Sequence, residues 1–335
     1  AIYKKYIEKL ITDGFAYISN EETGESKRVI RFKNPNKQIK FQDIILGEVE
    51  FDTTELKDFV IAKSTQEPLY HLTVVVDDCE MGITHAIRGQ EHISNTPRQI
   101  LILEAIGVPG PLYAHIPLIL APDRSKLSKR HGAISALEYR DSGYLPGALL
   151  NFIALMGWHS KDEKEVFSLK ELVDEFNLER VQKSGAIFDT AKLDFINREH
   201  MKMLSGENKL KEIVARIPEA PKDILEKISS LILEHISKWS DINKMLEAGE
   251  LRYFWQKPEY SSELLQWKDQ VPAETKKHLE QVAKFLESVE NWDTADDIKG
   301  AVWDYAEEKG RGEVLWPLRV ALSGRKKSPD PFVLA

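Results

Sequence analysis

The chain has 335 residues, enough for two or three domains, and its 42% hydrophobic and 30% charged side chains suit a buried core under a soluble surface. No apolar run reaches the ~18 residues that a membrane-spanning helix needs. A single cysteine, Cys79, excludes an internal disulfide and any multi-cysteine zinc site, and the expected setting is a reduced cytoplasm. The net charge of −8 excludes an all-over basic coat, although an acidic protein with a basic stripe can still bind RNA.

The chain opens with Ile2, Tyr6, Ile7, Leu10 and Ile11 at helical spacing and Gly14 as the stop, which predicts a helix over 1–13 rather than a secretory leader. Over 28–63 the period changes. "RVIRFK", "FQDIILGEVEF" and "DFVIAKS" are short and β-branched with turn formers between them, and predict one small antiparallel unit. "LYHLTVVVDD" and "GITHAIRG" read as buried strand or strand–helix material. "NTPRQILILEAIG" reads as a helix with Ser94 or Asn95 as N-cap, Pro97 in the first turn and Gly107 as the stop. "LYAHIPLIL" is a further buried strand, and the order strand, helix, strand, loop is that of a parallel α/β layer. Beyond residue 132 the pattern is helical: "PGALLNFIALMGW", "SLKELVDEF", "DTAKLDFINREHM", then Lys/Glu-rich amphipathic helices carrying six of the seven tryptophans. Those tryptophans are read as core rather than as platforms for bases. A composition shift near residue 205 marks the best domain boundary.

Between the last of these strands and the helical part lies "DRSKLSKRHG", with Lys126, Leu127, Ser128, Lys129 and Arg130 in succession. In open α/β sheets ligands sit beyond the carboxyl ends of the strands. A cationic loop at such a place can neutralise a triphosphate as charge builds on the leaving pyrophosphate, and lysines suit this as mobile point charges. A solvated basic turn is the plainer alternative.

"KLSKRHGA" resembles the KMSKS loop of class I aminoacyl-tRNA synthetases in its glutamyl- and glutaminyl-type form. "LYHLTVVVDDCEMGITHAIRGQEHISNTPRQILILEAIG" resembles the second half of the catalytic domain of bacterial glutamyl-tRNA synthetases. "VIRFKNP" and "GEVEFDTTELKDFVIAKSTQEPLYH" resemble their acceptor-binding insertion, "GAIFDTAKLDFINREHM" their stem-contact helices, and "LWPLRVALSGRKKSPDPF" their anticodon region. The resemblance implies an α/β plus all-α chain: 1–69 as the end of the first Rossmann half with a trimmed insertion, 70–123 as the second half, 124–205 as loop and stem-contact helices, and 206–335 as a helical anticodon-binding region.

It also implies roles. Tyr70 would pack against bound glutamate and Arg88 pair with a substrate carboxylate, which suits a planar donor at a strand end. His92, Leu127 and Lys129 would line the ATP site, with Lys126, Ser128, Lys129 and Arg130 forming the catalytic loop. Arg319, Ser328 and Pro329 would lie near the anticodon bases, which are read by stacking and edge hydrogen bonds. The implied reaction is ligation of glutamate to tRNA(Glu) with ATP and Mg²⁺, by a cytoplasmic monomer, with tRNA(Gln) open as a second substrate. No protein-bound metal is expected. Asp77 and Asp78 look like a metal pair in isolation, but the resemblance makes them structural or places them near the acceptor end, and the family's Cys-x-Cys zinc cluster is absent.

One departure is large. None of the nine histidines begins an H-x-G-H motif, the HIGH signature of the first nucleotide-fold half. Gln90 also stands where many relatives have an acidic residue. The first strands of the sheet are therefore expected to be missing, and both ends of the sequence read as cut. On this reading the chain is a fragment with little activity alone, or a non-catalytic tRNA-binding module. A third option, a truncated paralogue that glutamylates a modified tRNA base, is disfavoured by the helical region after residue 205.

Overall fold

The computed structural model describes residues 2–21, 28–127, 135–290, 292 and 294–335. Two compact units emerge: residues 1–138 with 146–196, and residues 139–145 with 197–335.

In the first unit the opening stripe forms α1 (Ile2–Thr12), which buries Ile7 and Leu10 completely. Strands β1 (Ala16–Asn20), β2 (Arg28–Phe32), β5 (Phe59–Ser64) and β6 (Glu67–Pro68) form an antiparallel sheet in the order β1-β2-β5-β6. Its inner face, with Ile30, Phe32, Phe59 and Ile61, packs with α1, α2 (Tyr70–Glu80) and α3 (Thr96–Ile106) around Leu10, Leu72, Val76, Leu101 and Ile102. Burial of this many aliphatic side chains, each contributing ~1.5–3 kcal/mol, is what holds the helices to the sheet.

The strands read from 28–63 as one antiparallel unit are divided between two sheets. β3 (Gln38–Asp43) and β4 (Gly47–Asp52) form a hairpin, but β3 also joins β8 (Leu112–Ile116) in parallel, and β8 pairs in parallel with β7 (His85–Gly89), giving the order β4-β3-β8-β7. Alternation in a short strand shows which side chains face inward and says nothing about which strand lies alongside. The segment 70–80 is a helix. Its valines favour strands in isolation, but Leu72, Val75 and Val76 fall on one helical face and are buried there. α3 starts with Pro in its first turn and ends at Gly107, whose φ of 80° lets its N–H reach the carbonyls of Leu103 and Glu104. Asn95 precedes it without a side-chain cap bond.

After α4 (Ala136–Asp141), the remainder of this unit is largely helical: α5 (Pro146–Leu155), α6 (Leu169–Glu175) with a Ser168/Glu171 capping box, and the first turns of α7 (Thr190–Met203). Two short strands, β9 (Ile119–Leu120) and β10 (Ala186–Ile187), pair in parallel. Trp158, Phe167, Leu172 and Val181 build a second core around Ile45 and Ala114.

The second unit has two cores. One, around Ile213, Leu225, Ile232, Trp239 and Ile242, joins α8 (Gly206–Arg216), α9 (Lys222–His235) and α10 (Asp241–Glu247). The other, around Val282, Val302, Val314 and Leu318, joins α11 (Pro272–Glu287), α12 (Ala295–Lys309) and α13 (Arg311–Ser323). Asn197 ties the first together: its Oδ1 accepts the Leu145 N–H at 2.8 Å and its Nδ2 donates to the Ser237 carbonyl at 2.6 Å. Trp239 is core, Trp255 and Trp303 pack against the two clusters, and Trp292 is exposed.

Candidate functional site

Two of the residues singled out in sequence, Tyr70 and His92, meet beside the turn that follows β7, and a third, Arg88, is bonded to Thr96, whose hydroxyl reaches the His92 carbonyl. Arg88 sits near the end of β7; the chain then makes a 3-10 turn over Gln90–Asn95 before entering α3. That turn carries His92 back toward Tyr70 at the start of α2, with Tyr70 Oη and His92 Nδ1 3.3 Å apart. Asn95 Nδ2 is also 3.3 Å from His92 Nδ1. Tyr70 is 47% exposed, so its ring is open to a ligand. The fourth member comes from the cationic segment: Lys126 Nζ lies 3.4 Å from Glu91 Oε1 on the same turn. Glu91 is held below the usual carboxylate range, chiefly by its own backbone N–H and then by Lys126. Leu127 anchors the segment, its N–H donating to the Ile119 carbonyl at 2.9 Å. Ser128, Lys129 and Arg130 lie outside the described residues.

Arg88 is far from a loose surface cation. Its Nε–H donates to His115 Nε2 at 3.2 Å, and its Nη2 donates to Thr96 Oγ1 at 2.8 Å and to Gln99 Oε1 at 2.7 Å. Its guanidinium lies 5.5 Å from the centroid of the Tyr113 ring. Behind it, His115 Nδ1 is 2.6 Å from Asp43 Oδ2, with both side chains fully buried. Asp43 also accepts the backbone N–H groups of Ile45, Leu46 and His115. Burial pushes the Asp43 carboxyl up, but those N–H groups and the imidazole outweigh it and hold it below the ordinary aspartate value. Burial pushes His115 down, and the Arg88 charge acts in the same sense against the pull of Asp43. Gln99 is 2% exposed and its Nε2 has no hydrogen-bond partner among the described residues.

Sequence reasoning missed Asp43, Thr96, Gln99 and His115. The available signal was an acid inside "FQDIILG" and a histidine inside "LYAHIPLIL", each a polar group in an apolar strand that must find a partner. Asp77 and Asp78 do not converge on a shared ligand position with other acids or histidines; among the described residues no group of three metal-ligating side chains forms. Asp77 accepts the Tyr3 hydroxyl at 2.7 Å.

In the second unit, Ser328 and Pro329 line a cavity of about 250 Å³ with Leu231, His235, Tyr253 and Lys327. Arg319, on α13, is not among its lining residues; its Nε is buried without a partner among the described residues.

Comparison with known proteins accounts for both units. The profile of class I tRNA synthetases (E and Q), catalytic domain, matches residues 5–195, and that of an anticodon-binding domain matches residues 198–335. The chain belongs to the class I tRNA synthetases of the E and Q type. The resemblance to glutamyl-tRNA synthetases read from the sequence is borne out by its relatives. Glutamate–tRNA ligase from Sulfurihydrogenibium sp. is 35% identical, over 96% of this chain and 75% of the relative. Glutamate–tRNA ligase 1 from Caldanaerobacter subterraneus subsp. tengcongensis is 40% identical, over 91% of this chain and 64% of the relative. The chain thus spans 64% to 75% of the length of these relatives. Among solved structures, a glutamate tRNA ligase from Elizabethkingia meningosepticum, in complex with its amino acid, superposes with a TM-score of 0.85 at 29% identity, over all of this chain and 78% of that one. The glutamate–tRNA synthetase of Elizabethkingia anophelis gives 0.80 at 29% identity. The sequence contains no H-x-G-H motif.

Proposed function

We propose that this chain carries the glutamate, ATP and tRNA contacts of a glutamate–tRNA ligase. ATP and glutamate give glutamyl-adenylate and pyrophosphate, and the glutamyl group then passes to the terminal ribose of tRNA(Glu). The observation that carries the reading is the contact of Tyr70 with His92 in the turn that follows β7, with Arg88 tied to that turn through Thr96 and Lys126 set against Glu91. Arg88 and Tyr70 hold the amino acid. His92 and Leu127 border the nucleotide, and Lys126 and Lys129, with Ser128 and Arg130, bring charge to its phosphates. Cationic groups aimed where negative charge develops lower the barrier most. Mg²⁺ would accompany the ATP phosphates and help neutralise their charge. In the second unit Ser328, Pro329 and Arg319 serve the anticodon, supported by a base-sized cavity beside two of them. The stretch 1–69 holds the end of the first Rossmann half with a trimmed acceptor-binding insertion, 70–123 the second half of the nucleotide-binding fold, 124–205 the loop and stem-contact helices, and 206–335 the anticodon region. The protein works as a cytoplasmic monomer, and tRNA(Gln) is a second substrate to be tested beside tRNA(Glu).

The second reading is tRNA binding without ligation. One experiment separates the two. The chain is incubated with ATP, Mg²⁺, labelled glutamate and bacterial tRNA, and acid-precipitable label is counted. Label that accumulates and disappears in Lys129→Ala establishes ligation. No label, with tRNA binding that weakens steeply with salt, establishes the binding module.

A further inference from the structure

A guanidinium recognises a carboxylate well only if it is held still, because side-chain freedom lost on binding counts against affinity. The arginine on β7 is held by a chain of contacts that begins 45 positions earlier in the sequence, on β3. Arginine donates and never accepts. The 3.2 Å contact from Arg88 Nε therefore requires that His115 Nε2 be a bare acceptor. The imidazole must then be neutral with its hydrogen on Nδ1, and that hydrogen meets Asp43 Oδ2 at 2.6 Å. Only this tautomer satisfies Asp43 and Arg88 together, and it leaves Nε2 able to accept from the Thr96 hydroxyl, 3.2 Å away, as well. The other would set Nε2–H against Arg88 Nε–H, and the imidazolium would set two cations together in a site where both Asp43 and His115 are buried.

The rest of the guanidinium is fixed as tightly. Nη2 has two hydrogens and two acceptors, Thr96 Oγ1 and Gln99 Oε1. The flat face lies over Tyr113, whose ring is stacked on His115 with an interplanar angle of 18°. What remains is Nη1, for which no hydrogen bond is found among the described residues.

We propose that Asp43 and His115 are positioning residues for Arg88: Asp43 fixes the His115 tautomer, and His115, with Thr96 and Gln99, turns the guanidinium so that Nη1 alone is offered, end-on, to the carboxylate of the amino-acid substrate. The assignment rests on Arg88 being the glutamate-binding arginine of the proposed function. It adds a physical consequence: an acceptor must stand at the His115 Nε2 position, whereas an aromatic ring there is not enough. The charged and titratable groups facing this centre are Asp43 on β3, Arg88 on β7, Tyr113 on β8, His92 on the 3-10 turn and Asp78 on α2. An imidazole ordinarily titrates near neutrality, and the tautomer lock keeps His115 uncharged while Arg88 stays in place.

Two variants separate acceptor from shape. His115→Gln can place its Oε1 where Nε2 stood; His115→Phe keeps a ring and removes the acceptor. Glutamate affinity is measured by titration calorimetry on the full chain, with tRNA present, and ATP affinity in parallel. The expected result is a glutamate Kd at least tenfold weaker in His115→Phe, within threefold of the parent in His115→Gln, and ATP affinity unchanged in both. A His115→Phe protein that binds glutamate as the parent does overturns the proposal, as does equal loss in both variants with the fold intact. An independent reading comes from ¹⁵N spectra of the histidine-labelled parent between pH 7.5 and 5.5. A neutral His115 with hydrogen on Nδ1 throughout, and an Arg88 Nε–H resonance that shifts in Asp43→Asn, supports the relay. Hydrogen on Nε2, or an imidazolium at pH 7, overturns it even if the Phe variant does not fold. If the parent fails to bind glutamate at all, the functional reading falls, and the relay is decided by these spectra.

Discussion

Replacing Asp43 with alanine tests how much of the first unit hangs on one buried carboxylate. Asp43 accepts four donors: the N–H groups of Ile45, Leu46 and His115 at 3.0, 2.9 and 3.1 Å, and His115 Nδ1 at 2.6 Å. Leu46 is half-buried, so water can take its N–H; the bonds to Ile45 and His115 are buried. Three donors are thus orphaned, each costing ~1–3 kcal/mol. Moving the imidazole hydrogen to Nε2 would aim it at Thr96 Oγ1, 3.2 Å away, but would also set it against Arg88 Nε–H. Some relaxation of the 43–46 turn offsets part of the loss, which leaves an expected destabilisation of about 3–5 kcal/mol, the range for breaking a buried polar pair. That is a large share of the ~5–15 kcal/mol that holds a domain folded. Mechanically the carboxylate matters because β3 meets β8 through a single paired position, Asp43 with Tyr113. Trp158 reports on the event. It shares a core with Ile45 and Ala114, the neighbours of Asp43 and His115, and the other six tryptophans belong to the second unit. With 5-fluorotryptophan incorporated, the ¹⁹F line of Trp158 in a urea series should show its midpoint fall in Asp43→Ala while the Trp239 line holds. A Trp158 midpoint within ~1 kcal/mol of the parent would refute the argument that these donors have no other partner.

Acidity and backbone geometry give two further tests. His71, His115 and His200 are all pushed below the usual 6.5, His71 by burial and then the Arg98 charge, the others chiefly by burial. Below 6.5 the unfolded chain binds protons that the folded one refuses, so stability is full above that pH and is lost as pH falls toward the depressed folded values, at up to ~1.4 kcal/mol per pH unit for the fully buried His115. Asp78, raised by burial, works in the opposite sense but starts from 3.8 in the unfolded chain. The urea midpoint of the Trp158 line should therefore drop between pH 7.5 and 5.5; an unchanged or higher midpoint at pH 5.5 would contradict it. In the second unit, Gly143 has φ +89°, and a Cβ there would stand 2.7 Å from both the backbone N and the Cβ of Trp239. Gly143→Ala should cost about 2–4 kcal/mol, read as a lowered Trp239 midpoint with the Trp158 line in place; equal stability would mean that the turn moves freely.

Some of this protein is legible one residue at a time. The 3.6-residue spacing of Ile7 and Leu10 and the Pro97–Gly107 bracket around α3 are local signals, and each predicted its helix. The cationic segment after the last strand was equally plain, and with "AIRGQEH" it marked Arg88, His92 and Lys126, of which Lys126 reaches Glu91 on the turn that carries His92. A motif encodes a neighbourhood because its residues are a few bonds apart. What the sequence left undetermined depends on partners far along the chain. The valines of 70–80 became helix because a sheet from other segments covers one of their faces, and the β3–β4 hairpin lies apart from β1, β2 and β5 because β3 pairs with β8. Asp43 and His115, 72 positions apart, each look like a misplaced polar group in an apolar strand. Only when the tertiary structure lays β3 beside β8 do they become a buried pair, since a charge removed from water is tolerated where a donor meets it and nowhere else.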